Sequence, residues 1–424
     1  MNIVDADKAV ATLFGSRRLL DILDVLNGGG EETRIVGGAV RNALLQLPIG
    51  DVDLATTAVP DEIIARARAA GFKPVPTGVE HGTVTIVVRG RPFEVTTLRE
   101  DIATDGRRAI VRFGRDFGRD AQRRDFTVNA LSVSADRSLH DPVGGLPDIG
   151  AGHIRFIGDA RERIREDYLR ILRFFRFHAA YGEGPLDRAG LDAAIRERQG
   201  LAVLSAERIR AEIMKLVVAR RGGEVAQEMS DAGFFERIFA GIAYPVLFAR
   251  LSKIERTAGD AVLRLGALAI GVREDADRLR TRLRLSNAEH KRLAEMADAC
   301  VVWHNRDAPP DERDLRTQLF LAGRAAASDA LALAHVASGA SADDREWMQA
   351  ANFLRESPEP RLPVTGEDVM ASGVRGKLVG AALKSLQARW IGAGFPKEPR
   401  AVARLLEEVL AELATAPQQA RTPR

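Results

Sequence analysis

Cysteine is nearly missing from this chain: Cys300 is the single one in 424 residues. No internal disulfide and no cysteine-built zinc module is available to it. Aromatic residues make up only 5% of the sequence, and lysine is scarce, so arginine carries most of the positive charge. No stretch of about 18 consecutive apolar residues occurs, so no membrane span is expected. The opening residues Met1-Asn2-Ile3-Val4-Asp5 lack the basic-then-apolar pattern of a secretory leader. Together these absences predict a cytoplasmic protein that holds its core without covalent staples.

What is present suits a globular chain. The hydrophobic fraction is 46% and the charged fraction 29%, ordinary values for folded proteins. The length allows roughly two to four domains. The net charge of +3 hides two arginine clusters. One comprises Arg107, Arg108, Arg112, Arg115, Arg119, Arg123 and Arg124, the other Arg161, Arg163, Arg165, Arg170, Arg173 and Arg176. Such clusters fit either a phosphate-rich partner or a solvated face with paired carboxylates.

Periodicity divides the chain into a mixed first part and a helical remainder. Residues 6–27 read as an amphipathic helix, 33–36 as a strand and 39–47 as a helix. Residues 51–56 read as a short strand, and Pro60 opens a helix that Gly71 ends. Runs at 72–76, 83–89 and 92–98 lean to β structure, with Gly90-Arg91 as the turn between the last two. Past about residue 155 the β signal fades. Residues 161–180 and 204–219 read as long helices, and helical periodicity continues from 225 to 415. The expected boundaries are a head at 1–155, a neck at 156–225, a body at 226–355 and a tail at 356–424.

Four segments carry chemistry. In Gly37-Gly38-Ala39-Val40-Arg41, a glycine turn lets backbone approach an anion at a helix N-terminus, with Arg41 one turn further in. Asp51-Val52-Asp53 follows. Alternate strand residues face the same way, so Asp51 and Asp53 present two carboxylates side by side, a donor pair for Mg²⁺. Glu94 lies in the β-rich run Phe93-Glu94-Val95 and could be a third acid or an ordinary solvent-facing residue. In Arg123-Arg124-Asp125-Phe126-Thr127-Val128-Asn129, Thr127 and Asn129 need polar partners if buried. A nucleotide or a turn cluster would supply them equally well. Lastly, Asp167, Arg170, Arg173 and Arg176 recur every three residues along an expected helix. They would form a slowly winding stripe with little local compensation, either an anion site or a solvated face.

In this order the motifs resemble the class II tRNA nucleotidyltransferase and bacterial poly(A) polymerase family, within the polymerase-β-like nucleotidyltransferases. The resemblance covers residues 35–215 and includes the smaller blocks Gly78–Thr83, Asp141–Gly145 and Leu204–Ile209. It implies an α+β nucleotidyltransferase head, a small mixed sheet flanked by helices, followed by an all-α neck, body and tail. It implies that Asp51 and Asp53 bind Mg²⁺, with Glu94 as the third catalytic acid. It implies nucleotide binding by Gly37, Gly38, Arg41, Arg124, Asp125, Asn129, Asp167, Arg170, Arg173 and Arg176. Within that set Asp167 and Arg170 read the base edge. The implied activity is template-independent addition of C, C and A to the 3′ end of tRNA from CTP and ATP. Poly(A) synthesis or partial addition of CC or A is the alternative. No membrane and no obligate protein partner is implied. Two departures stand out: Asn42 replaces the family's usual Asp after Arg41, and Pro48-Ile49-Gly50 replaces its usual approach to the first Asp.

Overall fold

The computed structural model of the chain describes residues 5–104, 109–255, 259–303 and 306–415. Arg107 and Arg108 of the first arginine cluster lie outside the described residues, as does the side chain of Arg112. Nine strands occur among the described residues: β1 Thr33–Val36, β2 Asp53–Thr56, β3 Lys73–Gly78, β4 Thr83–Val88, β5 Arg91–Thr97, β6 Arg99–Thr104, β7 Ala109–Phe113, β8 Ser132–Ser134 and β9 Leu139–His140. Seven form one sheet in the order β3-β4-β5-β2-β1-β8-β9, and β6 pairs with β7 as a separate hairpin. The large sheet is mixed because β2 and β5 run parallel, whereas β1 pairs antiparallel with both β2 and β8.

Alternation sets the register. Val84, Ile86 and Val88 of β4 are fully buried, as are Phe93, Val95 and Thr97 of β5 to within 1%. A one-residue slip would turn each set to the wrong face. The turn joining β4 to β5 is Arg89-Gly90, one residue earlier than the sequence pattern suggests. Both residues have positive φ, 47° and 81°, the backbone of a two-residue hairpin turn matched to strand twist.

Two expected helices are each broken in two. The segment 6–27 forms Ala6–Leu13 and Arg17–Leu26, with Ser16 extended between them. The segment 161–180 forms Ala160–Glu166 and Leu169–Tyr181. Asp167 at this second break is extended, φ −156° and ψ 107°. Its carboxylate accepts the Leu169 N–H at 3.1 Å and its carbonyl accepts the Arg170 N–H at 3.0 Å. The apolar spacing runs on through the break, with Ile164 and Ile171 both fully buried, so hydrophobic periodicity does not register it.

By internal contacts the chain divides into two units. One comprises Met1–Ala249, Ala258–Leu265 and Arg278–Leu285; the other comprises Arg250–Thr257, Gly266–Asp277 and Ser286–Arg424. The first holds the sheet and the helices around residues 160–217. Its centre includes Phe126, Phe156, Phe174 and Phe177, with ring centroids 4.9 Å apart for Phe126–Phe156 and 5.5 Å for Phe156–Phe174. Among its described residues the second unit contains helices and connecting loops but no strand. One of its cores gathers Trp303, Leu315, Leu319, Trp347 and Leu354, another Val369, Leu386, Trp390, Phe395 and Val409. Among the described residues no helix is long and apolar enough to cross a membrane.

Candidate active site

The floor of the site comes from three adjacent strands. The parallel pairing of β2 with β5 sets Asp53 level with Glu94, and β1 sets Val36 against Asp53. β2 begins at Asp53 and not at Asp51, a correction to the expected strand. Asp51 precedes the strand by two residues, with Val52 buried between two exposed aspartates. The alternation that places both carboxylates on one side therefore survives.

These acids crowd one another. Although Asp53 keeps an exposed edge, the protein packed around it displaces enough water to lift its carboxyl above its usual range, and the charge of Asp51 lifts it further, against an opposing pull from Arg124. Glu94 is raised by burial first, then by Asp53 and Asp51. A divalent cation relieves such repulsion. Among the described residues no three His, Cys, Asp or Glu side chains converge closely enough to cage an ion alone. The donor set fits a divalent cation that binds through one or two carboxylates and completes its shell with water and substrate phosphates.

After β1 the chain turns at Gly37, whose φ of +69° and ψ of −124° belong to glycine. A Cβ there would stand 3.2 Å from Nη1 of Arg124. The helix Gly38–Leu44 then turns Arg41 inward, to 5% exposure. Its guanidinium donates to Oδ1 of Asn129 at 2.5 Å, to Oδ1 of Asn42 at 2.8 Å and to the Tyr181 hydroxyl at 2.8 Å. It also lies 3.9 Å from the Tyr181 ring centroid. All these partners are neutral, and burial pushes the group down to about 10, with Arg176 and Arg173 adding to the shift. Arg41 thus stays cationic at neutral pH with no carboxylate among its described hydrogen-bond or ion-pair partners.

The segment 120–129 is a polar hub. Asp120, 4% exposed, accepts from Arg123 Nε at 2.9 Å and from Arg124 Nη2 at 3.2 Å. Arg124 Nη1 also donates to the Asn129 carbonyl at 3.3 Å. Asp125 accepts from Arg173 Nε at 2.7 Å, from Asn129 Nδ2 at 3.2 Å and from the Phe126 N–H at 2.9 Å. Burial alone would raise its pKa, but the charge of Arg173 and these hydrogen bonds prevail and lower it. Thr127 finds its partner in Asp148 at 2.5 Å, so for that residue the turn-cluster alternative holds.

The arginine stripe is compensated, contrary to the sequence expectation. Arg170 pairs with Glu166 at 2.5 Å, Arg173 with Asp125 at 2.6 Å and Arg176 with Glu212 at 2.5 Å. Asp167 is not on the helix that carries these arginines, and its ion-pair partner is Arg208, 2.6 Å away. Among the residues singled out from the sequence, Gly37, Gly38, Arg41, Asp53, Glu94, Arg124, Asp125, Asn129, Asp167, Arg170 and Arg173 line one cleft of about 520 Å³. Asp51 and Arg176 stand outside that lining. Sequence reasoning passed over Asp120 and Phe177, which also line the cleft together with Arg123 of the first arginine cluster, and Tyr181, which stacks on Arg41. Glu166, four residues before Arg170, was the most visible of the missed partners.

Comparison with known proteins fits this geometry. Residues 33–155 match the family described as the poly A polymerase head domain. The mouse mitochondrial CCA tRNA nucleotidyltransferase 1 is 33% identical over 87% of this chain and 84% of its own length. The CCA-adding enzyme of Lacticaseibacillus paracasei is 32% identical over 89% and 93%. The chain belongs to the CCA tRNA nucleotidyltransferase family. A crystal structure of the Bacillus stearothermophilus CCA-adding enzyme in complex with CTP superposes with a TM-score of 0.72 at 28% identity, covering 94% of this chain and 98% of that one. Nucleotidyltransferases of this family generally work with a divalent metal.

Proposed function

We propose that the chain adds C, C and A to the 3′ end of tRNA, taking the nucleotides from CTP and ATP. The observation that carries this reading is one cleft in which three things meet: the Asp53–Glu94 pair, a buried Arg41 without a carboxylate partner, and the Asp167–Arg170 turn. The primer's 3′-hydroxyl attacks the α-phosphate, the bond to the β-phosphate breaks and pyrophosphate leaves. Asp51, Asp53 and Glu94 are the residues that would hold Mg²⁺, which supplies activation of the hydroxyl and stabilisation of the leaving phosphates. Arg41 and Arg124 meet the triphosphate, with the Gly37-Gly38 turn giving it room. Asn129 and Asp125 hold Arg41 and Arg173 in place. Asp167 accepts from the amino group that C and A share at corresponding positions, and Arg170 donates to the neighbouring ring atom.

In this reading the head at 1–155 and neck at 156–225 carry the chemistry. The body at 226–355 and tail at 356–424 hold the tRNA by shape and phosphate contacts. The proposed location is the cytoplasm. The test is to incubate the pure protein with Mg²⁺ and tRNA lacking its 3′ end, giving each NTP alone and all four together. Extension by three nucleotides, requiring both CTP and ATP, is the expected result. A long run of A would make the chain a poly(A) polymerase, and a stop after CC, or A alone, a partial enzyme.

A further inference from the structure

Asp167 and Arg170 do not orient one another. Arg170 Nη1 is held by Glu166 at 2.5 Å and by the Arg163 carbonyl at 2.9 Å. Asp167 is held from another direction. Oδ1 takes the Leu169 N–H, while Oδ2 takes Nη2 of Arg208 at 2.6 Å, from the first turn of the helix Ala206–Val217. A cation in the first turn is unfavourable to its own helix, because that end carries positive partial charge. Asp167 is the one described carboxylate paired with Arg208. The arginine is therefore placed in spite of its local setting, and the contact it makes is with the break between two helices. Side-chain exposures of 28% for Asp167 and 40% for Arg208 show that the pair is not sealed in the core; of the two, Asp167 lines the cleft. A carboxylate has about four acceptor positions. Two are occupied by these donors, which leaves others for a base.

We infer that Arg208 is a positioning residue for nucleotide choice: it fixes the rotation of Asp167 so that a free acceptor faces the base, and it acts on specificity only through Asp167. The inference rests on the proposed base-reading role of Asp167. Without Arg208, Asp167 keeps its single backbone contact and rotates about its side-chain bonds. An acceptor no longer held in place discriminates poorly, because discrimination depends on a fixed polar partner that a wrong base leaves unmatched.

The experiment measures single-nucleotide addition of CTP, ATP, UTP and GTP on tRNA lacking its 3′ end. It uses the full chain as wild type, Arg208→Gln, Arg208→Lys, Asp167→Ala and the double variant Arg208→Gln/Asp167→Ala. The expected result is a roughly ten- to hundredfold fall in selectivity for C and A over U and G in Arg208→Gln, and partial recovery in Arg208→Lys. The double variant should be no less selective than Asp167→Ala alone. Melting curves identify any variant that fails to fold, and Arg208→Lys, which keeps the charge, then carries the test through its KM for CTP against UTP. Equal loss with all four nucleotides, or additive losses in the double variant, would overturn the inference. A wild type that does not prefer C and A, or an Asp167→Ala variant that keeps the preference, would instead overturn the base-reading proposal beneath it.

Discussion

Asp53 is kept ionisable in surroundings that oppose its charge. Burial raises its pKa and Asp51 raises it further, so the fold gains nothing from the carboxylate. Asp53→Asn should therefore leave the melting temperature unchanged or higher while lowering nucleotide addition by about 10²–10³ or more. Near wild-type turnover in this variant would remove Asp53 from the ion-holding set. His178 makes a separate prediction, on stability. It is 2% exposed and its Nε2 accepts from Arg221 at 3.0 Å, which requires the neutral ring. Burial first, and then the charge of Arg221, push it from 6.5 down to about 4. As pH falls through 6.5 the unfolded chain takes up a proton that the folded chain refuses. Stability is then lost progressively down to about pH 4, by about 3 kcal/mol in all. His178→Asn should flatten that part of the stability–pH curve, measured by urea unfolding at several pH values. An unchanged slope would mean that another group titrates.

The break at Asp167 and Tyr168 is the element on which the proposed base reading depends, and Gly200 helps to fix it. A Cβ on Gly200 would fall 1.9 Å from the Tyr168 ring. Gly200→Ala should displace Tyr168, cost about 1–3 kcal/mol as overpacking does, and slow addition by disturbing Asp167 next to it. Thermal melting and single-turnover assays check this, and a variant with unchanged melting and rate would show that the ring moves freely. At this scale the legibility of the sequence is uneven. β4 and β5 were readable because each buries a full alternating face, and Asp53 and Glu94 because each sits between apolar neighbours. Their adjacency was not readable, since it depends on a parallel pairing of β2 with β5 across β3 and β4. The helix break was hidden by apolar spacing that continues through it. Arg208 appeared only as part of a short motif, because a contact between residues 167 and 208 leaves no mark on local periodicity. The compensation of the arginine stripe was missed for the same reason: Asp125 and Glu212, which pair with Arg173 and Arg176, are remote in sequence.

The whole chain has a pI near 9.1, and its partner in the proposed reaction is a polyanion. Binding of tRNA should weaken steeply with salt, with log K falling in proportion to log salt at about 0.7–0.9 per phosphate neutralised. Filter binding between about 50 and 200 mM salt measures it, and a flat response would rule out a surface that tracks phosphates. The parallel contact between β2 and β5 also has a consequence in time. Asp53 and Glu94 come level only after the intervening hairpin of β3 and β4 has formed and the chain has closed back on itself, and Asp167 and Arg208 are brought in from still further along. Loops of this span close late, because their entropy must be met before the contacts they allow can form. During refolding, helical signal should therefore return before CTP binding does. On a ribosome, a nascent chain that has emerged only through β5 already carries Asp51, Asp53 and Glu94 yet lacks the residues proposed to select among nucleotides. Selection can begin only once the segment around Arg208 has been made.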